Sequence, residues 1–355
     1  MKFLKNAKLF GKITDIGIED GKIAFIGKAD SDGLDLGGLS VYPGLIDVHA
    51  HGCIGYDVMD KSELDAMASF LLSRGTTTWY PTTMTMPYGD IVRAAAKTTA
   101  NKNCASIPGV HLEGPFINEK FKGAQNPEHI LKPVASLLDD CPAARMITVA
   151  PELPEALEFI KQAAERGLVV SLGHTDTDYD TATAAFEAGA RCLTHTFNAM
   201  NGIHHRAPGP ILAAADRSDV YAQLISDGLH VHPAAMRMLI KLFGDDRIVL
   251  ISDSMAATGY SDGDYDFGGM TTLVRNGVAR TEGGNLAGST STLFDCVKKL
   301  ISFGIEPQRA VKMATENPAE MMGLNKGRIE VGYDADLIVV DGDFNLVRVI
   351  ARGEF

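Results

Sequence analysis

The residues best suited to chemistry in this chain are its histidines, and all ten lie between His49 and His232. His49 and His51 are separated by one residue and follow the apolar run 43–48 (PGLIDV). Side chains two positions apart on a strand point to the same face, so this pair can bind one metal ion. An HxH pair also occurs without a metal, so its position at the end of a strand is what favours a metal site.

Three more side chains of this kind follow apolar runs, and they are Glu113, His174 and His195. A glutamate that ends an apolar strand is costly to bury unpaired, so it needs a cation or hydrogen bonds. One carboxylate and two imidazoles fit a catalytic metal ion that keeps one position open for water. The alternatives are a surface carboxylate and two hydrogen-bonded core histidines.

Asp253 ends the apolar run 248–252 (IVLIS). A carboxylate near a metal-activated water can take its proton and pass that proton to a leaving group. The alternative is a helix N-cap, because Ser-Asp-Ser is good capping material.

Eight short apolar runs rich in Val, Ile and Thr alternate with segments of helical periodicity. This alternation predicts parallel βαβ units, and eight of them in about 200 residues predict a (β/α)8 TIM-type barrel. An open doubly wound sheet is the alternative, but no GxGxxG segment supports it. The candidate strands are Gly44–His49, Thr76–Tyr80, Ile107–Glu113, Arg145–Ala150, Leu168–His174, Arg191–His195, Tyr221–Asp227 and Arg247–Asp253. Their carboxyl ends carry the residues described above, on the face where barrel active sites lie.

The two ends of the chain contain no histidine and are strand-like. Asp20-Gly21 between apolar runs indicates a hairpin, and 327–341 followed by 347–351 indicates two more strands. Because chain termini often lie close together, we expect one small β-sandwich domain built from both ends. The predicted organisation is residues 1–43 and 323–355 for this domain and 44–322 for the barrel.

Composition limits the possible function. The chain has 355 residues and a net charge of −12, which argues against a whole-chain basic surface for nucleic acid. It contains no stretch of about 18 apolar residues that would span a membrane. The five cysteines are scattered and odd in number, which favours reduced thiols and a cytoplasmic location.

The motifs, taken in order, resemble those of the N-acetylglucosamine-6-phosphate deacetylases, a family of the amidohydrolase superfamily. HxH and the late Asp occur across the superfamily, whereas HLEGP and HTFNAM are more specific to these deacetylases. The matching segments are 43–51 (PGLIDVHAH), 111–115 (HLEGP), 173–174 (GH), 194–200 (THTFNAM), 227–230 (DGLH) and 252–253 (SD).

The resemblance implies a metal centre. Glu113, His174 and His195 would bind the main ion, while His49 and His51 would bind a second ion with Glu113 as the bridge. Zinc is expected, although iron, manganese and cobalt suit the same ligands, and one or two ions per chain are possible. Asp253 would deprotonate the attacking water and then protonate the amine.

The resemblance also implies a sugar-phosphate site. Arg206 would bind the phosphate across a homodimer interface, and arginine suits phosphate because it can donate two parallel hydrogen bonds. Asn198, Ala199 and His230 would line the same site. Gln125 stands where some members have a histidine that polarises the acetyl carbonyl, and its amide can donate a hydrogen bond but carries no charge.

The leading hypothesis is therefore removal of acetate from N-acetylglucosamine 6-phosphate, giving glucosamine 6-phosphate. The galactosamine 6-phosphate counterpart is the nearest alternative. Two others are a cyclic-amide hydrolase of the dihydroorotase type, which would lean on a barrel lysine, and a barrel without activity that serves as a scaffold.

Overall fold

Eight parallel strands form the centre of the computed structural model, which describes residues 1–60, 63–96 and 104–354. Neighbours in the sheet are also neighbours along the chain, as in a (β/α)8 barrel. The predicted TIM-type fold is confirmed, and each predicted strand overlaps one observed strand. The barrel strands are Leu45–Ala50, Thr76–Thr83, Val110–Glu113, Ala144–Val149, Val169–Leu172, Cys192–Leu193, Tyr221–Ile225 and Ile248–Ile251.

Hydrogen bonds from the backbone and from a side chain join the first and last barrel strands. The Asp253 N–H donates to the His49 carbonyl at 2.9 Å, and Ser252 Oγ donates to Asp47 Oδ2 at 2.5 Å. Asp47 is fully buried, and burial raises the pKa of its carboxyl to about 6. This seam places His49 beside Asp253, although the two residues lie at opposite ends of the barrel sequence.

Helices pack around the barrel. The α-helices are Leu64–Ser73, Tyr88–Ala95, Ser136–Asp140, Ala156–Glu165, Tyr179–Glu187, Gly209–Ala215, Pro233–Phe243, Leu293–Ser302, Pro307–Lys312 and Glu316–Met322. Among the described residues, none of the helices combines the length and the apolar character that crossing a membrane requires.

One helix expected from the sequence pattern does not form. The periodicity over 127–138 predicts a continuous helix, but the structure has a 3-10 turn, Pro127–His129, and a short helix, Ser136–Asp140. Pro133 explains the interruption, because it has no N–H to donate and disfavours the helical conformation of Lys132 before it.

The strands of the two chain ends pair with one another. Strand Ser40–Pro43 runs antiparallel to Leu337–Val340, so both termini contribute to one sheet with an apolar core separate from that of the barrel. The predicted hairpin turn at Asp20-Gly21 is present, with positive φ at both residues. The seven strands are Lys2–Leu9, Lys12–Glu19, Lys22–Gly27, Leu34–Asp35, Ser40–Pro43, Leu337–Val340 and Leu346–Ile350.

A three-stranded antiparallel sheet follows the last barrel strand and was not predicted. Its strands are Gly263–Phe267, Met270–Arg275 and Val278–Thr281. The sheet brings the Phe267 ring to within 5.2 Å of the His51 ring, centroid to centroid, in an edge contact. It therefore forms part of the wall around the carboxyl ends of the barrel strands.

Candidate active site

A cavity of about 430 Å³ opens at the carboxyl ends of the barrel strands. His51, Glu113, His174, His195 and Asp253 all line it, so the strand-end residues chosen from sequence converge on one space. His49 lies directly behind them and is fully buried. The position agrees with the rule that barrel active sites occupy this face.

Three of these residues adopt a backbone conformation that is unusual for their type. His174, His195 and Asp253 have φ values of 50°, 29° and 50°. Left-handed conformations are sparsely populated by residues other than glycine, and such strain gathers at functional sites. Each residue comes two positions after the end of a barrel strand, so the turn there directs the side chain into the cavity.

Glu113 is at the centre of the cluster. Its Oε1 lies 3.1 Å from His49 Nε2, 3.2 Å from His174 Nε2 and 3.1 Å from His195 Nε2. Its Oε2 lies 3.4 Å from His51 Nε2. Two groups of three ligand atoms result, Glu113 with His49 and His51 and Glu113 with His174 and His195, and within each group the atoms lie within 4.8 Å of one another.

The hydrogen bonds behind the histidines decide which ring nitrogen faces the cluster. Three of the four rings use Nδ1 to donate to a protein oxygen: His49 to Gln223 Oε1 (3.1 Å), His51 to the Thr82 carbonyl (3.1 Å) and His174 to the Phe121 carbonyl (2.8 Å). The Nε2 lone pairs of neutral rings therefore point inward, as in metal-binding histidines.

The spacing between ring nitrogens supports the same interpretation. His49 Nε2 lies 3.2 Å from His51 Nε2, and His174 Nε2 lies 3.1 Å from His195 Nε2. Inward lone pairs at this distance repel one another unless a cation lies between them. The residues therefore fit divalent metal ions, and the mixed imidazole and carboxylate set is one that zinc accepts.

Electrostatics keep both cavity carboxyls ionised. Burial on its own would raise the pKa of Glu113, but positive charge on the protonated rings of His49 and His174 holds it well below the usual range. A metal cation bound by the neutral rings would favour the ionised carboxylate in the same way. Burial also opposes ionisation of Asp253, yet His49 and His51 bring the pKa of that carboxyl down to about 2. Asp253 Oδ1 lies 3.2 Å from His51 Nε2, so an ionised carboxylate borders the ligand cluster.

Comparison with known proteins places this geometry in a family. A model of the amidohydrolase family matches residues 40–355. The N-acetylglucosamine-6-phosphate deacetylase of Bacillus subtilis is 35% identical, over 95% of this chain and 91% of that protein. The chain belongs to the amidohydrolase family.

Two further proteins show how much of this amidohydrolase is shared with its relatives. The crystal structure of N-acetylglucosamine-6-phosphate deacetylase from Mycobacterium smegmatis superposes with a TM-score of 0.93 at 33% identity, covering 100% of this chain and 99% of that one. The N-acetylgalactosamine-6-phosphate deacetylase of Escherichia coli O157:H7 is 36% identical, over 88% of this chain and 86% of that protein. The resemblance inferred from motifs is therefore confirmed along nearly the whole chain.

The residues predicted to contact substrate divide into two groups. Gln125, Asn198, Ala199 and His230 line the amidohydrolase cavity. Arg206 is exposed and lies outside the cavity lining, where its Nη1 is 2.8 Å from His205 Nε2.

Gln125 is bound to the metal-ligand cluster. Its Nε2 donates to Glu113 Oε2 at 2.5 Å, and its Oε1 accepts from the Thr85 N–H at 2.6 Å. These two bonds use the oxygen and one of the two N–H groups of the amide that the sequence analysis assigned to substrate. In this structure Gln125 orients Glu113 and ties its own loop to the Thr85 backbone.

Sequence reasoning missed other residues at this site. Lys120 and Phe267 also line the cavity. Lys120 lies in the 3-10 turn Glu119–Phe121 and Phe267 in the unpredicted sheet. Glu152 accepts hydrogen bonds from Thr175 Oγ1 (2.5 Å) and from Asn118 Nδ2 (2.8 Å), and so braces the turn that carries His174. Its place just after a barrel strand was the signal that could have identified Glu152.

Proposed function

We propose that this amidohydrolase is a deacetylase that uses water to convert N-acetylglucosamine 6-phosphate to glucosamine 6-phosphate and acetate. The observation that carries the proposal is that Asp253 lies beside a cluster of Glu and His side chains able to hold a metal ion, within one cavity. Relatives with this activity match the chain over nearly its whole length. The galactosamine alternative has no better support, because the relative with that name has nearly the same identity.

For the metal, we propose zinc, with Glu113, His174 and His195 as ligands of one ion. His49 and His51 would hold a second ion, and Glu113 would be shared by both. When bound, a divalent ion supplies positive charge that polarises the acetyl carbonyl and makes water easier to deprotonate. The inward Nε2 atoms of the histidines support this assignment.

Asp253 would move the proton. Its carboxylate accepts a proton from the water that adds to the acetyl carbonyl carbon, and it returns that proton to the nitrogen as the C–N bond breaks. The amine and acetate then leave. The left-handed turn at Asp253, held by the hydrogen bond from its N–H to His49, keeps the carboxylate directed at the cluster.

The substrate's sugar and phosphate would lie against Asn198, Ala199 and His230. We propose a homodimer in which Arg206 reaches the phosphate site of the partner subunit, since Arg206 is exposed and outside its own cavity. A cytoplasmic location is supported by five buried cysteines, which suit a reducing compartment.

The test is acetate release by protein of measured metal content. The substrates are N-acetylglucosamine 6-phosphate, its galactosamine epimer and unphosphorylated N-acetylglucosamine, each with wild type and with Asp253→Asn. We expect release from the first substrate, a large loss without the phosphate, and a fall in kcat of about 10²–10⁴-fold in the variant. Metal-loaded protein that releases no acetate from any substrate would contradict the proposal and favour a cyclic-amide hydrolase or a scaffold.

A further inference from the structure

Asp227 and His230 form a buried pair at the cavity. His230 Nδ1 donates to Asp227 Oδ2 at 2.7 Å, and the two side chains are only 6% and 2% exposed. The carboxylate is held from three other directions. Its Oδ1 accepts from the N–H groups of Leu229 (2.8 Å) and His230 (3.0 Å), and Ser289 Oγ donates to its Oδ2 at 3.3 Å.

This arrangement leaves only Nε2 of the His230 ring available to a ligand. In a neutral ring whose Nδ1–H is given to Asp227, Nε2 is a bare acceptor and repels phosphate oxygens. In a protonated ring, Nε2 is a charged donor. Burial lowers the pKa of His230, but the bond and the charge of Asp227 outweigh it and raise the pKa above its ordinary value, with Asp253 adding a smaller effect.

The charges around the cavity show why such a donor is needed. Glu113 and Asp253 also line the cavity, where the proposed metal ions would balance their negative charge. Among the described residues that line the cavity, Lys120 is the one lysine or arginine, and its Nζ lies 2.7 Å from Asp176 Oδ2. Within its own subunit, the phosphate dianion of the substrate therefore meets one lysine, which is already paired, and a charged His230 would add a donor to that lysine and to the partner subunit's Arg206 proposed above.

We propose that Asp227 is a positioning residue that holds the His230 ring in place and charged, so that Nε2 donates to the phosphate of the substrate. The inference rests on the proposed function in one respect, namely that the substrate is a sugar phosphate. Asp227 itself makes no contact with substrate.

The experiment measures binding without turnover. Glucose 6-phosphate has no acetamide to hydrolyse, so its Kd for the metal-loaded protein can be followed by calorimetry from pH 7 to pH 9, where phosphate stays a dianion because its second pKa is about 6. Glucose is the probe without phosphate. NMR titration of the His230 ring gives its pKa directly, with the signal assigned from its absence in His230→Gln.

For wild type, we expect the Kd of glucose 6-phosphate to rise with pH as His230 loses its proton. In Asp227→Asn the pKa of His230 should fall, because the negative charge that raises it is removed. The Kd of this variant for glucose 6-phosphate at pH 7 should rise about ten-fold, because one charge-assisted hydrogen bond is lost. Its Kd should also no longer depend on pH. Asp227→Glu keeps the charge and should retain the pH dependence, and the exposed Asp139→Asn is the matched control without effect.

Three outcomes would overturn the inference. The first is an unchanged His230 titration in Asp227→Asn, and the second is a wild-type Kd for glucose 6-phosphate that does not vary with pH. The third is that Asp227→Asn weakens binding of glucose as much as binding of glucose 6-phosphate, which would assign His230 to a hydroxyl group. If Asp227→Asn does not fold, His230→Gln and Asp227→Glu still decide the question. Acetate release by the same wild-type sample tests the proposed function separately. Protein that binds glucose 6-phosphate with this pH dependence but releases no acetate would keep the inference and refute the deacetylase proposal.

Discussion

Replacing Gln223 is expected to have one effect on metal affinity and another on folding stability, and the two can be measured separately. Gln223 lies in the barrel strand Tyr221–Ile225 and is fully buried. Its Oε1 accepts from His49 Nδ1 at 3.1 Å and from the backbone N–H of His195 at 3.2 Å. One amide oxygen therefore orients a residue of each ligand group. Gln223→Leu removes this acceptor while keeping a side chain of similar size.

The expected magnitude follows from those two bonds. Each buried donor that loses its acceptor costs about 1–3 kcal/mol, and this cost falls on the protein with or without metal. The metal-specific effect comes from His49, whose ring is no longer held with Nε2 inward. Loss of such a partner lowers metal affinity by about 10–100-fold, which corresponds to about 1.4–2.8 kcal/mol.

Zinc affinity is measured by competition with a chelator. Zinc stoichiometry is measured as the metal content per chain while the zinc concentration is raised. Thermal unfolding in excess chelator reports the cost to the fold by itself. Gln162→Leu is the matched control, because Gln162 is half-buried on helix Ala156–Glu165, outside the cavity lining, and its Nε2 donates to Glu158 Oε1 at 2.9 Å. We expect the control to bind zinc as wild type does.

The reasoning would be refuted if Gln223→Leu folded and bound zinc with wild-type affinity and stoichiometry. That result would mean that the His49 ring does not depend on its Nδ1 acceptor for orientation. A loss of stability in Gln223→Leu without any loss of zinc affinity would lead to the same conclusion about the His49 ring.

Two predictions concern stability. Asp15 accepts from the N–H groups of Ala29 and Asn6 and from Lys5 Nζ, each at 2.9 Å, and the bonds to Ala29 and Lys5 above all hold its pKa below the ordinary value. Asp15→Asn should cost about 1–3 kcal/mol in urea unfolding at pH 7. The pKa of Asp15 is depressed in the folded state, so this stabilisation is complete above the unfolded pKa of about 3.9 and is lost progressively as the pH falls from there through the folded pKa. If Asp15→Asn cost as much stability at pH 3 as at pH 7, the assignment would be wrong. Arg247 donates to carbonyls at the ends of two helices, including Phe243 (3.1 Å) and Ala214 (3.4 Å). Arg247→Met should lower the free energy of unfolding in denaturant by about 2–4 kcal/mol. Lys241 is exposed, and Lys241→Met should cost less than about 0.5 kcal/mol. Similar losses in the two variants would show that Arg247 does not stabilise the helix ends.

Much of the candidate site was predictable because barrel strands leave a local signal. A short apolar run that ends in His, Glu or Asp is visible in the sequence, and the fold rule then places all such ends on one face. Glu113, His174 and Asp253 were identified in this way. His111 lies two residues before Glu113 and has a structural role instead, because its ring is bonded to the Val48 carbonyl at 3.0 Å and to Thr148 Oγ1 at 2.9 Å.

The errors arose where the outcome depends on contacts distant in sequence or on a single residue. The helix expected over 127–138 is interrupted because one proline outweighs the apolar period around it. The three-stranded sheet that carries Phe267 has short, partly exposed strands, whose pattern is weaker than that of a buried barrel strand. Gln125 could be placed after Glu113 from sequence, but the direction of its amide depends on the neighbouring Thr85 backbone.

The sequence by itself determined the strands and helices of the barrel, the strands of both chain ends and the residue types at each strand end, because these follow from periodicities of two and 3.6 residues. The tertiary structure decided which of those residues meet. Closure of the barrel brings His49 beside Asp253, and hydrogen bonds from Gln223, Thr82 and Phe121 select the inward ring nitrogens. The position of Arg206 outside the cavity was likewise set by the fold. These features depend on distances between residues remote in the chain, and no local pattern encodes such distances.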